Sequence, residues 1–84
     1  MIMNDNCLGG ARFLLVSNEL RLLREKMLLT QEEFAKELGV ASSTVNRWEK
    51  GKARPNITTM RTIKRICESN NYPYEKIESA WIIH

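Results

Sequence analysis

Apolar residues recur at intervals of three and four positions along this chain, which is the repeat expected of helices that bury one face. The first such segment runs from about Arg12 to Met27. Its apolar stripe consists of Phe13, Val16, Leu20, Leu23 and Met27. Ser17 could instead cap a helix that begins there, so the start of this helix is open by several residues.

The second segment opens with a capping box at Thr30 to Glu33. The hydroxyl of Thr30 can accept the backbone N–H three residues on, while the carboxylate of Glu33 reaches back to the N–H of Thr30. We therefore expect helix two to begin at Gln31 and to end at Gly39, in the left-handed conformation that glycine adopts readily. Its inner face is predicted to consist of Phe34, Ala35 and Leu38.

Three further helices follow by the same criteria. The third runs from about Ala41 to Lys50, with Val45 and Trp48 facing inward. Pro55 disfavours helix at the residue before it, so a loop precedes Asn56, which can cap the next helix. The remaining helices and their stripes are 57 to about 69, with Ile57, Met60, Ile63, Ile66 and Cys67, and 74 to 83, with Ile77, Ala80 and Trp81 behind Pro73.

These segments predict an all-α fold, a compact five-helix domain over residues 11–84 that contains a helix-turn-helix formed by helices two and three. Residues 1–10 have no periodicity and are expected to be a flexible leader. A single domain of 84 residues buries only about 60–65% of its unfolded surface, which disfavours a deep catalytic cleft.

Charge is distributed unevenly along the chain. Positions 42 to 65 sum to +6, with Glu49 as the one acid, whereas the whole chain sums to only +3. The basic residues of this segment are Arg47, Lys50, Lys52, Arg54, Arg61, Lys64 and Arg65. One positive region on a domain that is otherwise negative attracts and orients a polyanion. Charge alone is equally compatible with a basic face that only contacts solvent.

The combination of motifs resembles the lambda-repressor-like Cro/repressor/Xre group of helix-turn-helix proteins. The resemblance covers about Leu20 to Asn71 and rests on LTQEEFA, ELGV and STVNRWEKG, with a Pro four residues after that last Gly. It implies a sequence-specific regulator of transcription, most simply a repressor, that binds double-stranded DNA with helix 41–50 in the major groove. One recognition helix reads few base pairs, so a homodimer is expected.

The resemblance also implies roles for individual residues. Base contacts are expected from Ser42, Ser43, Asn46 and Arg47, and phosphate contacts from Gln31, Thr44, Lys50, Lys52 and Arg54. Gln31 would also brace the start of the recognition helix. Arg47 is the leading specificity residue because its paired donors match two acceptors on guanine, although it could contact phosphate alone. The family usually has Ser or Thr where Ala41 stands, so Ser42 is expected to act as the cap and to be partly lost as a base reader.

Several other residues are expected to support the fold, or could serve either the fold or binding. Arg24 and Glu49 match a partly buried ion pair of the family, and Trp48 is expected in the core. The apolar end formed by Trp81, Ile82 and Ile83 is either a dimer contact or the last turn closing the core. The basic residues of helix four, Arg61, Lys64 and Arg65, are read either as DNA contacts or as a solvated surface.

The other classes of function find less support. No motif for catalysis or metal binding occurs: His84 is the terminal residue, and Cys7 and Cys67 lie too far apart in sequence to form a metal motif. We expect no enzyme, no metal, no cofactor and no membrane association, with two free thiols in the cytoplasm. The alternative function is a module for a protein partner, such as the antitoxin of a toxin–antitoxin pair or a coactivator-like adaptor.

Overall fold

The computed structural model describes residues 14–83, with no account of the Ile83 side chain. This range contains five helices: α1 (Leu14–Lys26), α2 (Gln31–Leu38), α3 (Ser42–Glu49), α4 (Ile57–Ser69) and α5 (Tyr74–Ile83). The all-α, five-helix prediction is therefore confirmed. The leader, Cys7, Phe13 and His84 lie outside the described residues.

The ends of α2 follow from the local signals in the sequence. Thr30 Oγ1 accepts the backbone N–H of Glu33 at 3.1 Å, and Glu33 Oε1 accepts that of Thr30 at 2.9 Å. Gly39 ends the helix at φ 72°, where its N–H donates to the last carbonyl groups of the helix. Both predicted boundaries are confirmed, and the short turn places α3 directly after α2.

The start of α3 differs from the prediction. Ala41, in the extended conformation with φ −74° and ψ 149°, occupies the cap position and makes no side-chain capping bond. Its carbonyl accepts the N–H groups of Thr44 and Val45 at 3.0 and 3.3 Å. Ser42 is the first helical residue, so the expectation that it caps α3 is wrong. Its exposed side chain stays on the outer surface.

Ser17 does not cap a helix either. It lies within α1, fully buried, and its hydroxyl donates to the carbonyl of Leu14 at 2.8 Å. A hydroxyl satisfied one turn back in its own helix can be buried without an unpaired donor. The alternative start of α1 at Ser17 is therefore excluded.

The core lies between all five helices. α1 packs on α3 and α5, α2 packs on α3 and α4, and α4 also contacts α5. The apolar residues of the core are Val16, Leu20, Leu23, Phe34, Ala35, Leu38, Val45, Trp48, Met60, Ile63, Cys67, Ile77 and Ala80. Ile57, predicted on the inner stripe of α4, is 54% exposed because it is the first residue of the helix, before the first core position at Met60.

Within residues 14–83, none of the helices combines the length and the apolar character that crossing a bilayer requires.

Candidate nucleic-acid interface

The side chains of α3 divide into an inner and an outer set. Val45, Trp48 and Glu49 are buried, whereas Ser42, Ser43 and Arg47 are exposed and Thr44 and Asn46 are half-buried. The helical repeat accounts for this division, since residues three and four apart share a face. The structure thus brings the four residues predicted to contact bases onto one short helix.

A buried carboxylate holds α3 against α1. The Glu49 side chain is 5% exposed and accepts from Arg24 twice, Nε to Oε2 at 2.6 Å and Nη2 to Oε1 at 2.9 Å. Arg24 Nη1 also donates to the carbonyl of Leu29 at 2.9 Å. The hydrogen bond with Glu49 raises the pKa of Arg24 above its ordinary value, against the effect of burial. This paired geometry is the strong form of an ion pair.

Arg21 adds a weaker contact to the same carboxylate. Its Nε lies 3.9 Å from Glu49 Oε1, and its Nη2 donates to the Glu49 carbonyl at 3.2 Å. The Arg21 side chain is 42% exposed, so solvent screens its charge. Arg24 is accordingly the principal partner of Glu49.

Gln31 connects α2 to the same group. Its Nε2 donates to Glu49 Oε1 at 3.1 Å, and its Oε1 accepts from Asn46 Nδ2 at 3.2 Å. Gln31 therefore braces the middle and the last residue of α3 rather than its start, which corrects the expected position of the contact. The pairing of Asn46 with Gln31 was not predicted from the sequence.

Two of the predicted phosphate contacts, Lys50 and Lys52, are exposed immediately after α3. Lys52 is held by a bond from its backbone N–H to the carbonyl of Arg47 at 3.0 Å. Gly51, at φ 75°, takes the left-handed conformation that this tight exit needs. Both ammonium groups thus extend from the end of the candidate recognition helix.

Arg54 has a different environment from the two lysines. Its guanidinium lies 4.7 Å from the centre of the Trp81 ring, and its Nη1 donates to the Trp81 carbonyl. The indole Nε1 of Trp81 donates to the carbonyl of Pro55 at 2.6 Å. The sequence predicted a phosphate contact for Arg54. In the structure its guanidinium instead contacts Trp81 and so ties the loop to α5. Trp81 packs on the core as the closing turn, while Ile82 is 62% exposed.

The basic residues of α4 make local contacts. Lys64 Nζ lies 5.9 Å from the centre of the Tyr74 ring, and Arg65 Nη2 donates weakly to Thr62 Oγ1 at 3.4 Å. Arg61 is exposed. These contacts, made within α4 or to α5, involve no residue of α3.

Three further features of the described range bear on other kinds of site. Residues 14–83 contain no cluster of three or more His, Cys, Asp or Glu suited to a metal ion. Cys67 is a free, buried thiol, and burial raises its pKa to about 11. A surface groove of about 340 Å³ lies along α4, and no residue of α3 lines it.

Comparison with known proteins agrees with this geometry. The family model described as Helix-turn-helix matches residues 20–75, which is more than half of the chain. A curated relative, the HTH-type transcriptional activator BcrR of Enterococcus faecalis, is 35% identical over 50 residues. That alignment covers 60% of this chain and 24% of the relative, so the chain matches about a quarter of that protein. No solved structure matches the chain significantly.

Proposed function

The chain belongs to the helix-turn-helix family, and on this premise we propose that it is a sequence-specific regulator of transcription that binds double-stranded DNA. In this proposal α3 enters the major groove. The observation that carries it is the exposed row of Ser42, Ser43 and Arg47 on a helix whose opposite side is fixed in the core. A rigid helix with a polar outer face is what reading base edges requires.

Lys50 and Lys52 would supply affinity that does not depend on sequence. Ammonium groups beside the recognition helix displace counterions from phosphate and set the register of the protein on the duplex. Gln31 and Thr44, half-buried at the edges of the α3 surface, are proposed to add neutral phosphate contacts. Arg54 is proposed to contribute less than the lysines because its guanidinium packs on Trp81.

Sequence preference would come chiefly from Arg47. A guanidinium that donates to both acceptors of guanine discriminates by about 1–3 kcal/mol against other bases. Ser42 contributes more than the sequence suggested, since Ala41 takes the cap position and leaves the Ser42 side chain exposed.

We further propose a homodimer that represses transcription in the cytoplasm. A second copy doubles the site that one α3 can read, and two-fold symmetry makes that site an inverted repeat. Repression needs only occupancy of a promoter, whereas activation needs an additional contact. No catalytic activity is part of this proposal.

The test is a selection from random oligonucleotides with the purified protein at two salt concentrations. We expect an inverted repeat with G in each half-site. Arg47→Ala should lose the preference for that base more than it loses affinity, and Lys52→Ala should weaken binding to all sequences and lower the salt slope by about 1. Lys76→Ala, which removes an exposed charge from α5, is the matched control and should change neither.

A second function, binding of a protein partner, is favoured by the apolar outer side of α1. Leu15 and Leu22, seven positions apart, are 51% and 50% exposed. Exposed apolar residues on the outer side of a helix suit contact with another protein. A selection that returns no motif, together with a stoichiometric partner in a native pull-down, would favour this antitoxin-like or adaptor-like role over the first.

A further inference from the structure

A chain of side-chain hydrogen bonds runs from the core to the candidate recognition surface. It begins at the Glu49 carboxylate, passes through the Gln31 amide and ends at the Asn46 amide. An ionised carboxylate has no hydrogen to donate, whereas each amide has a donating and an accepting end. The acceptor at the buried end therefore determines how every amide beyond it is oriented.

The first link fixes Gln31. Its amide must turn the NH₂ group towards Glu49 Oε1, 3.1 Å away, because the reverse orientation would bring two oxygens together. Arg24 fixes the carboxylate in place through its two bonds. Loss of a hydrogen bond to a buried charge is costly, so the Gln31 oxygen is held on the side facing Asn46.

The second link fixes Asn46. The Gln31 oxygen can only accept, so Asn46 must present its NH₂ group to it, at 3.2 Å. The Asn46 oxygen then accepts nothing within this chain of bonds, and it is turned away from Gln31 together with the second hydrogen of the NH₂ group. Asn46 lies next to Arg47, on the half-buried edge of the same helix.

We propose that Asn46 is a specificity residue whose orientation is set by Gln31 and Glu49, and that it reads a base by accepting from an exocyclic amino group. This inference rests on the proposed function. In the major groove the amino groups belong to adenine at N6 and cytosine at N4, whereas guanine and thymine present oxygens. An Asn46 oxygen that accepts from such a group favours adenine or cytosine at the base it reaches, and the second N–H can at the same time donate to N7 of adenine. Gln31 acts as a positioning residue.

The test begins with the selected site of the wild-type protein and the Asn46→Ala variant. Asn46→Ala should lose preference at one position of each half-site. At that position, adenine is replaced by purine, or cytosine by 2-pyrimidinone, which removes only the amino group. We expect wild-type binding to fall about three- to tenfold, the size of one hydrogen bond. Binding of Asn46→Ala should not change further.

Two variants at Gln31 separate orientation from support. Gln31→Met removes both polar ends, so Asn46 can turn over, and the preference for the amino-bearing base should fall. Gln31→Glu still accepts from Asn46 and should keep that preference, even where its proximity to Glu49 lowers stability. Circular dichroism establishes that each variant is folded. A residue that only contacted phosphate would lower affinity for all sequences alike.

The outcomes distinguish the two proposals. A wild-type protein that selects no motif overturns the proposed function itself. A motif that is unchanged in Asn46→Ala, or a site that tolerates removal of the amino group, overturns the role of Asn46. A preference that survives in folded Gln31→Met overturns the control by Gln31.

Discussion

Replacing Arg24 with methionine tests how α3 is held against α1. Methionine keeps much of the volume of the arginine stem but removes three hydrogen bonds: two to the Glu49 carboxylate, at 2.6 and 2.9 Å, and one to the Leu29 carbonyl, at 2.9 Å. Glu49 would then retain Gln31 and the exposed, more distant Arg21. The variant thus leaves the negative charge of a buried carboxylate only partly balanced by its remaining partners.

The expected loss of stability follows from that geometry. Removal of one partner of a buried ion pair costs about 3–5 kcal/mol. The remaining contacts of Gln31 and Arg21 place Arg24→Met at the lower end, about 3 kcal/mol. Since small domains are stable by only about 5–15 kcal/mol, this is a large fraction of the total. Arg21→Met, which removes a 42% exposed partner, should cost about 1 kcal/mol or less.

The assay is urea unfolding followed by circular dichroism, with Glu49→Met and the double variant completing a double-mutant cycle. The double variant should be more stable than Arg24→Met, because it removes the stranded charge together with its lost partner. A cost of Arg24→Met below about 1 kcal/mol would refute the reasoning. A double variant no more stable than Arg24→Met would refute it equally.

Two further predictions concern the turn and the core. Gly39→Ala should cost about 1–2 kcal/mol of stability from its φ of 72° alone, because an added Cβ meets no atom within 4 Å. Gly39→Asn should cost less, since Asn adopts the left-handed conformation more readily than Ala. A loss above about 3 kcal/mol in urea unfolding would contradict this reasoning by revealing a clash. Burial raises the pKa of Cys67 from 9.0 to about 11, so the free energy of unfolding should fall as pH rises from about 9 to 11. Cys67→Ala, made in a Cys7→Ser background, should reduce the slope of this free energy against pH. Equal slopes with and without Cys67 would contradict the shift.

Signals that act over a few residues were readable in the sequence. The capping box at Thr30 and the glycine at position 39 fix both ends of α2 through contacts between near neighbours, and Asn56 caps α4 in the same way. The apolar repeat placed Val45 and Trp48 in the core. These features depend on backbone geometry that the local sequence specifies, so their prediction needed no tertiary information.

Contacts between distant residues were harder to predict. Arg54 and Trp81 are 27 positions apart, and nothing near Arg54 in sequence distinguishes it from Lys52. The pairing of Gln31 with Asn46 likewise depends on how α2 crosses α3. The Arg24–Glu49 pair was expected only through the family resemblance, and the DNA contacts of the α3 residues stay predictions.

The division of α3 into buried and outward residues has a consequence for any attempt to alter the DNA preference proposed above. Positions 42, 43 and 47 make no contribution to the core, so they can be exchanged for another set of side chains without rebuilding the domain. Position 46 is different, because its amide is joined to Gln31 on the preceding helix. Grafting the outward residues of another helix-turn-helix protein onto α3 should therefore reproduce that protein's DNA preference only if residues 31 and 46 are replaced together.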